Sequence, residues 1–190
     1  MLKVNHKDTS NLFWKVIMNI LGAPLNSQPP PVRQTWQRYG EPDFKITDNV
    51  IFMQLMYESG NDVARPLHSF SEDYGDDIKE TKTQTRVLRL RLIAYGNNGA
   101  ENIYQIRTKI YGGIKKLRQN GIYVIPSDDE PRYAPELFAG QWWERTEFDF
   151  LFNQYAEYDN IVGTIEQVPI TANLNTEASV ITDSFIVVKE

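Results

Sequence analysis

The stretch LRLRLIAYGNNGAENIYQIRTKI, residues 88–110, changes its period half-way along. Leu88, Leu90, Leu92 and Ala94 fall on one side, and Val87, Arg89, Arg91, Ile93 and Tyr95 fall on the other. That is the period of two a β-strand imposes, and it predicts a strand over 85–95. Beyond Gly99 the period lengthens. Ile103, Ile106, Ile110, Ile114 and Leu117 share one stripe, which predicts a main helix over 99–120 closed by Gly121. The hinge Gly96-Asn97-Asn98-Gly99 poses the functional question, because glycine turns that open helices also bind phosphates. A dinucleotide site calls for G-x-G-x-x-G and a phosphate loop for G-x-x-x-x-G-K-[ST]. Neither pattern is present. Geometry explains each residue instead: Asn98 caps the helix, Glu101 completes a capping box, and Gly96 or Asn97 takes the positive φ of the corner.

Outward from this hinge the chain reads as alternating strands with few helices. Residues 9–22, TSNLFWKVIMNILG, form a short amphipathic helix with Leu12, Phe13, Val16, Ile17, Ile20 and Leu21 on one face. Thr9 or Ser10 caps it, and Gly22 followed by Pro24 ends it. The prolines at 29–31 make residues 26–42 an extended connector, since proline cannot sit inside a helix or a central strand. Residues 50–57 are a strand, and 58–84 read as a long polar acidic loop. Residues 122–126 form a short strand, 141–153 alternate as another, and 161–168 fit a last core strand. The expected fold is α+β: a mostly antiparallel twisted sheet of about four to five strands, the long helix on one face, and the short N-terminal helix. The expected organisation is one domain over 1–172, followed by a C-terminal extension or arm over 173–190.

The totals narrow the function. A chain of 190 residues holds one domain with a real core. Net charge −5 argues against a dedicated nucleic-acid binder, and the absence of cysteine excludes disulfides and thiolate metal sites. The start MLKVNHKDTSN carries no signal-peptide pattern, and no stretch approaches the ~20 apolar residues of a membrane span. His6 and His68 are the only histidines and stand far apart, so no metal site is expected. Glu144, Glu147 and Asp149 could be imagined as paired acids, but Glu147 and Asp149 alternate on the polar face of a strand. Lys115, Lys116 and Arg118 suit the C-terminal end of a helix dipole. No catalytic residue and no cofactor is expected.

The candidates that remain are contact residues. Trp142, Phe148, Phe150 and Phe152 read as one face of the 141–153 strand, and Trp143, Arg145, Glu147 and Asp149 as the other. Trp143 then stands among charges, either as an interface anchor or covered by the helix or tail of its own chain. Arg89, Arg91 and Arg145 join it as candidate interface residues, although Arg89 and Arg91 could equally face Glu147 and Asp149 on a neighbouring strand.

The order of motifs resembles the neck or tail terminator proteins of tailed bacteriophages. The matching residues are Ala94, Tyr95 and Gly96 at the strand end, Ala100 at the helix start, and Gly121 and Ile122 at the next strand. Glu144, Arg145, Phe148, Asp149 and Phe150 follow, then Ile165, Glu166 and Val168. The resemblance covers roughly residues 26–172. It implies a virion protein, assembled in the host cytoplasm, without a catalytic site. It implies a ring of about six subunits at the head-proximal end of the tail tube, closed by head-to-tail contacts. The ring would stop tube growth and dock onto the head connector, with tail tube protein and connector as partners and no membrane. DNA would pass through without specific binding, and Glu72, Asp73, Asp76, Asp77 and Glu80 would face the lumen and repel it. The rival readings are a head-completion or connector adaptor, a tail-tube subunit, and, ranked below these, a small-ligand-binding α+β domain.

Overall fold

A computed structural model of the chain describes residues 5–35, 43–58, 68–75, 77–163, 170–176 and 179–185. The expected connector residues 36–42, Asp76 of the acidic cluster, and Ile165, Glu166 and Val168 lie outside the described residues. The chain groups into two compact units, Met1–His68 with Thr83–Tyr158, and Ser69–Lys82 with Asp159–Glu190.

The first unit is an α+β layer. Helix α1 is His6–Ile20. It starts earlier than its apolar stripe suggests, because Asn5 takes the cap: its side chain accepts from the Lys7 N–H at 3.0 Å. Strands β1 (Val32–Gln34) and β2 (Val50–Tyr57) pair in parallel, so the proline connector contains a short strand that composition did not reveal. A brief hairpin partner, β3 (His68–Tyr74), precedes the long strand β4 (Asp77–Tyr95). Helices α2 (Gly99–Tyr111) and α3 (Lys115–Arg118) follow, then strands β5 (Ile122–Ile125), β6 (Arg132–Tyr133), β7 (Glu136–Phe138), β8 (Gln141–Trp143) and β9 (Arg145–Gly163). The sheet order is β1-β2-β4-β9-β5, with β6 also on β9. Strand β2 runs antiparallel to β4, from Val50 opposite Tyr95 to Tyr57 opposite Leu88. On β4 and β9, Arg91 meets Asp149 and Arg86 meets Gln154, so positions fall on one strand as they rise on the other. These two strands are therefore antiparallel as well.

Both predicted alternations hold at the centre. Leu88, Leu90, Leu92 and Ala94 of β4 and Phe148, Phe150 and Phe152 of β9 are buried. They form one core with Ile51, Met53 and Leu55 of β2, Phe13, Val16, Ile17 and Met18 of α1, and Ile103, Ile106 and Ile110 of α2. Phe13 packs on Phe152 at 4.8 Å between ring centroids. Both helices thus cover the same face of the sheet. Each of these large side chains contributes about 1.5–3 kcal/mol by leaving water.

Three expectations change. The single helix over 99–120 is two helices, because Gly113 adopts φ +85 and Ile114 is extended, which breaks the hydrogen-bond ladder. Its stripe nevertheless stays on the core: Ile103, Ile106, Ile110 and Leu117 are buried and Ile114 is partly buried against them. Strands are more numerous than expected, with eleven among the described residues. In particular, residues 68–74 and 77–84, read as loop, are strand. Polar side chains on both faces hid the period that burial on one face imposes. The Asn98 side chain makes no cap bond; the Asn98 backbone N–H instead donates to Asn49 Oδ1 at 2.8 Å, tying the hinge to the turn before β2.

The second unit contains the hairpin of β3 with the start of β4, turned at Gly75, and the last residues of β9. Thr81 donates to Asp159 at 2.9 Å, and Lys79 bridges Glu72 at 2.8 Å and Asp159 at 3.9 Å. Residues in the expected extension form an antiparallel hairpin of β10 (Ile170–Thr176) and β11 (Ser179–Phe185).

Gly96 has φ +93, and a Cβ there would collide with the Asp48 carbonyl. Gly96→Ala should therefore cost about 2 kcal/mol or more, from the left-handed backbone alone plus the clash. Phe150→Ala should cost about 3–5 kcal/mol by opening a cavity in the core. Urea unfolding of both variants checks these values.

Candidate interaction surface

The sheet face away from the helices carries the charges. Strand alternation puts Arg89 and Arg91 of β4 and Arg145, Glu147 and Asp149 of β9 on this side, opposite their buried neighbours. Asp149 receives Arg91 through two bonds at 2.9 Å and Arg89 through one at 3.0 Å. Arg89 also grips Glu58 with two bonds, at 2.7 and 2.9 Å. Arg145 pairs with Glu147 and, at 2.7 Å, with Glu136, while Arg132 reaches Glu147 at 2.6 Å. Burial works against the Asp149 charge, but the hydrogen bonds from Arg91 and Arg89 outweigh it and hold the carboxyl below its usual range. The bonds that Arg89 donates to Glu58 and Asp149 push its pKa further above the ordinary value. This is a surface matched within the subunit, with planar guanidinium forks on carboxylates.

Beside this network the same face becomes aromatic. Phe44, Phe52, Tyr95, Phe138 and Trp143 surround a cavity of about 490 Å³, with Thr35, Asp43 and Glu136 among its polar members. Phe44 stands edge-on to Trp143 at 5.3 Å, and Phe138 does so at 5.9 Å. Tyr95 donates to Glu136 at 2.8 Å; burial first, then that bond, pushes its pKa up to about 12. The Trp143 indole N–H finds no acceptor among the described residues. The cavity is open and apolar. Among the described residues no group of three His, Asp or Glu could hold a metal ion.

The sequence-predicted contact residues are therefore brought to one face, but in unequal surroundings. Arg89, Arg91 and Arg145 are engaged in ion pairs. Trp143 is half-buried, packed edge-on against Phe44 and Phe138. Trp142, expected in the core, is 67% exposed. The reason is Glu144, which interrupts the run: Trp142 and Trp143 belong to β8, so the parity of β9 does not extend to them. Strand β8 pairs with β7 in a separate hairpin, with Leu137 opposite Trp142 and the turn at Ala139 and Gly140, both at positive φ. Leu137 and Phe138 are 61% and 64% exposed. This apolar hairpin was missed. The signal was present in the AG dipeptide between two short apolar runs. Of the acidic cluster, Glu72 and Asp73 lie on β3, and Asp77 and Glu80 on β4. His6 shares a hydrogen bond with the Leu55 carbonyl at 3.1 Å.

Asp149→Asn should destabilise the fold by about 1 kcal/mol at pH 7, a modest value because the pairs are partly solvated. Asp149 is more acidic when folded, so its contribution is present above the unfolded value near pH ~4 and is lost as pH falls through the folded one. The gap between variant and parent should shrink in urea melts at pH 3.

The comparison with known families agrees with the order of the motifs. Residues 11–177 match the family described as phage neck terminator protein. No curated protein matches the chain. The matched segment takes in α1 from Asn11 onward, all of α2, the whole β4–β9 pair and the aromatic hairpin. The chain belongs to the phage neck terminator protein family, structural proteins of the bacteriophage virion.

Proposed function

We propose that this chain forms a ring of about six subunits, closed by head-to-tail contacts, at the head-proximal end of the phage tail tube. The ring stops tube polymerisation and joins the tail to the head connector, and DNA passes through it without specific binding. Family membership carries the location in the neck. One structural observation favours a contact role: Leu137, Phe138 and Trp142 stand exposed on a short hairpin in a subunit whose charged face is already internally paired. An exposed apolar cluster with a large aromatic is what an interface anchor requires. Trp143 and Arg145 lie at the base of this hairpin and form the inner edge of the proposed contact, with Arg89 and Arg91 entering it already paired.

The acidic side chains Glu72, Asp73, Asp77 and Glu80 have two uses open to them in such a ring. They could face the passing DNA and repel it, or they could meet a cationic surface on the next subunit. Their companions Phe70 and Tyr74, each more than half exposed, favour the second, since a wall swept by DNA gains nothing from exposed aromatic surface.

Purified protein mixed with polymerising tail tube protein should cap the tubes and fix their length. A tube subunit would extend them instead, and that result would replace this reading. Trp142→Glu should leave unfolding within about 0.5 kcal/mol of the parent, because the side chain is exposed. It should abolish capping and reduce the assembly to single subunits by mass; full capping by this variant would remove the hairpin from the contact.

A further inference from the structure

The helical side of the first unit holds a second surface. Between α1, α2 and α3 runs a groove of about 760 Å³, with Val16, Ile20, Ala23 and Ile114 among its apolar members. Lys15, Lys109 and Lys116 line it, one from each helix, and no acidic residue does. None of the three lysines has an ion-pair partner among the described residues. Three like charges around an apolar floor repel one another, and an occupant that is both apolar and acidic relieves that repulsion.

We infer that this groove seats the β3–β4 hairpin of a second copy of the chain, an inference that rests on the ring reading. On β3, alternation gives one row of Phe70, Glu72 and Tyr74, with an acid set between two aromatics. Phe70 and Tyr74 are 58% and 57% exposed, and Asp73 and Asp77 at the turn are exposed too. Residues 69–82 carry five acidic side chains against two lysines. Glu72 is bridged by Lys79 and Glu80 by Lys82, so the hairpin offers the groove two exposed rings and, from Asp73 and Asp77 at the turn, negative charge for its lysines. The lengths agree, since seven residues of strand reach about 23 Å and the fifteen residues of α1 span about 22 Å. Groove and hairpin are different surfaces, so the contact is head-to-tail, the type that closes into a ring.

The cysteine-free chain makes a clean test. Asp73→Cys and Lys109→Cys are combined in one chain, both at exposed positions, and treated with a short bismaleimide linker. A ladder of covalent multimers is expected, absent when Asp73→Cys is paired instead with Tyr123→Cys on β5. A ladder ending in one closed species supports docking and ring together. A ladder without a closed species supports docking and removes the ring. No ladder above the control, or linkage only within one chain, overturns the inference, and native mass of the parent protein then shows separately whether a ring stands. Charge reversal gives an independent reading. Lys15→Glu with Lys109→Glu and Lys116→Glu should weaken assembly at least tenfold, and adding Asp73→Lys with Asp77→Lys should restore it. If Asp73→Lys with Asp77→Lys alone leaves the assembly unchanged, the acidic row belongs to the lumen and the inference falls.

Discussion

The pairing of β4 with β9 is the constraint on which the first unit depends. Each strand presents one apolar and one charged row, and antiparallel alignment puts like rows on the same side. The leucines and phenylalanines are thereby committed to one face, where α1 and α2 close over them. The arginines and carboxylates are committed to the other, where Asp149 lies within reach of both Arg89 and Arg91. A slip of one residue would carry Phe150 into the charges and Asp149 into the core, so register is enforced from both sides at once.

That constraint also explains which parts of the fold were legible. Strand β4 between Val87 and Tyr95, and β9 between Arg145 and Asn153, alternate sharply because one of their faces is buried. The hinge at Gly96 was legible for a similar reason: only glycine tolerates the close approach of the Asp48 carbonyl at that φ. Where burial on one face is absent, the pattern fades. Residues 69–74 and 77–82 are strand with mostly polar, exposed or half-exposed side chains, and they read as loop. The Gly112-Gly113 pair was passed over because the apolar stripe continues beyond it to Ile114 and Leu117. Alternation placed Arg89, Arg91 and Arg145 together on one face, as the structure has them, and left Trp143 either exposed or covered; it put Trp142 in the core, where Glu144 ends the run and leaves Trp142 exposed. Ion-pair partners such as Glu58, far away in sequence, could not be read from spacing at all.

The chemistry of the surface suits a protein that works by fitting its neighbours. The charges of the β4–β9 outer face are matched within the subunit, burial and the bond to Glu136 keep Tyr95 protonated beside the aromatic cavity, and Leu137, Phe138 and Trp142 stand exposed together on the 136–143 hairpin. The packed core of the sheet and the exposed 136–143 hairpin are separate parts of the first unit, which on the proposed function divides scaffold from contact. Contacts can therefore form on assembly without disturbing the core that holds the subunit together, as expected for surfaces completed only by a partner.

The most direct measurement of that division of labour is amide hydrogen exchange on the free protein and on the protein bound to tail tubes. Residues 88–94 and 146–156 should exchange slowly in both states, and new protection on assembly should appear at the 136–143 hairpin. Unchanged exchange at that hairpin, with new protection confined to the centre of the β4–β9 pair, would contradict the separation of scaffold from contact.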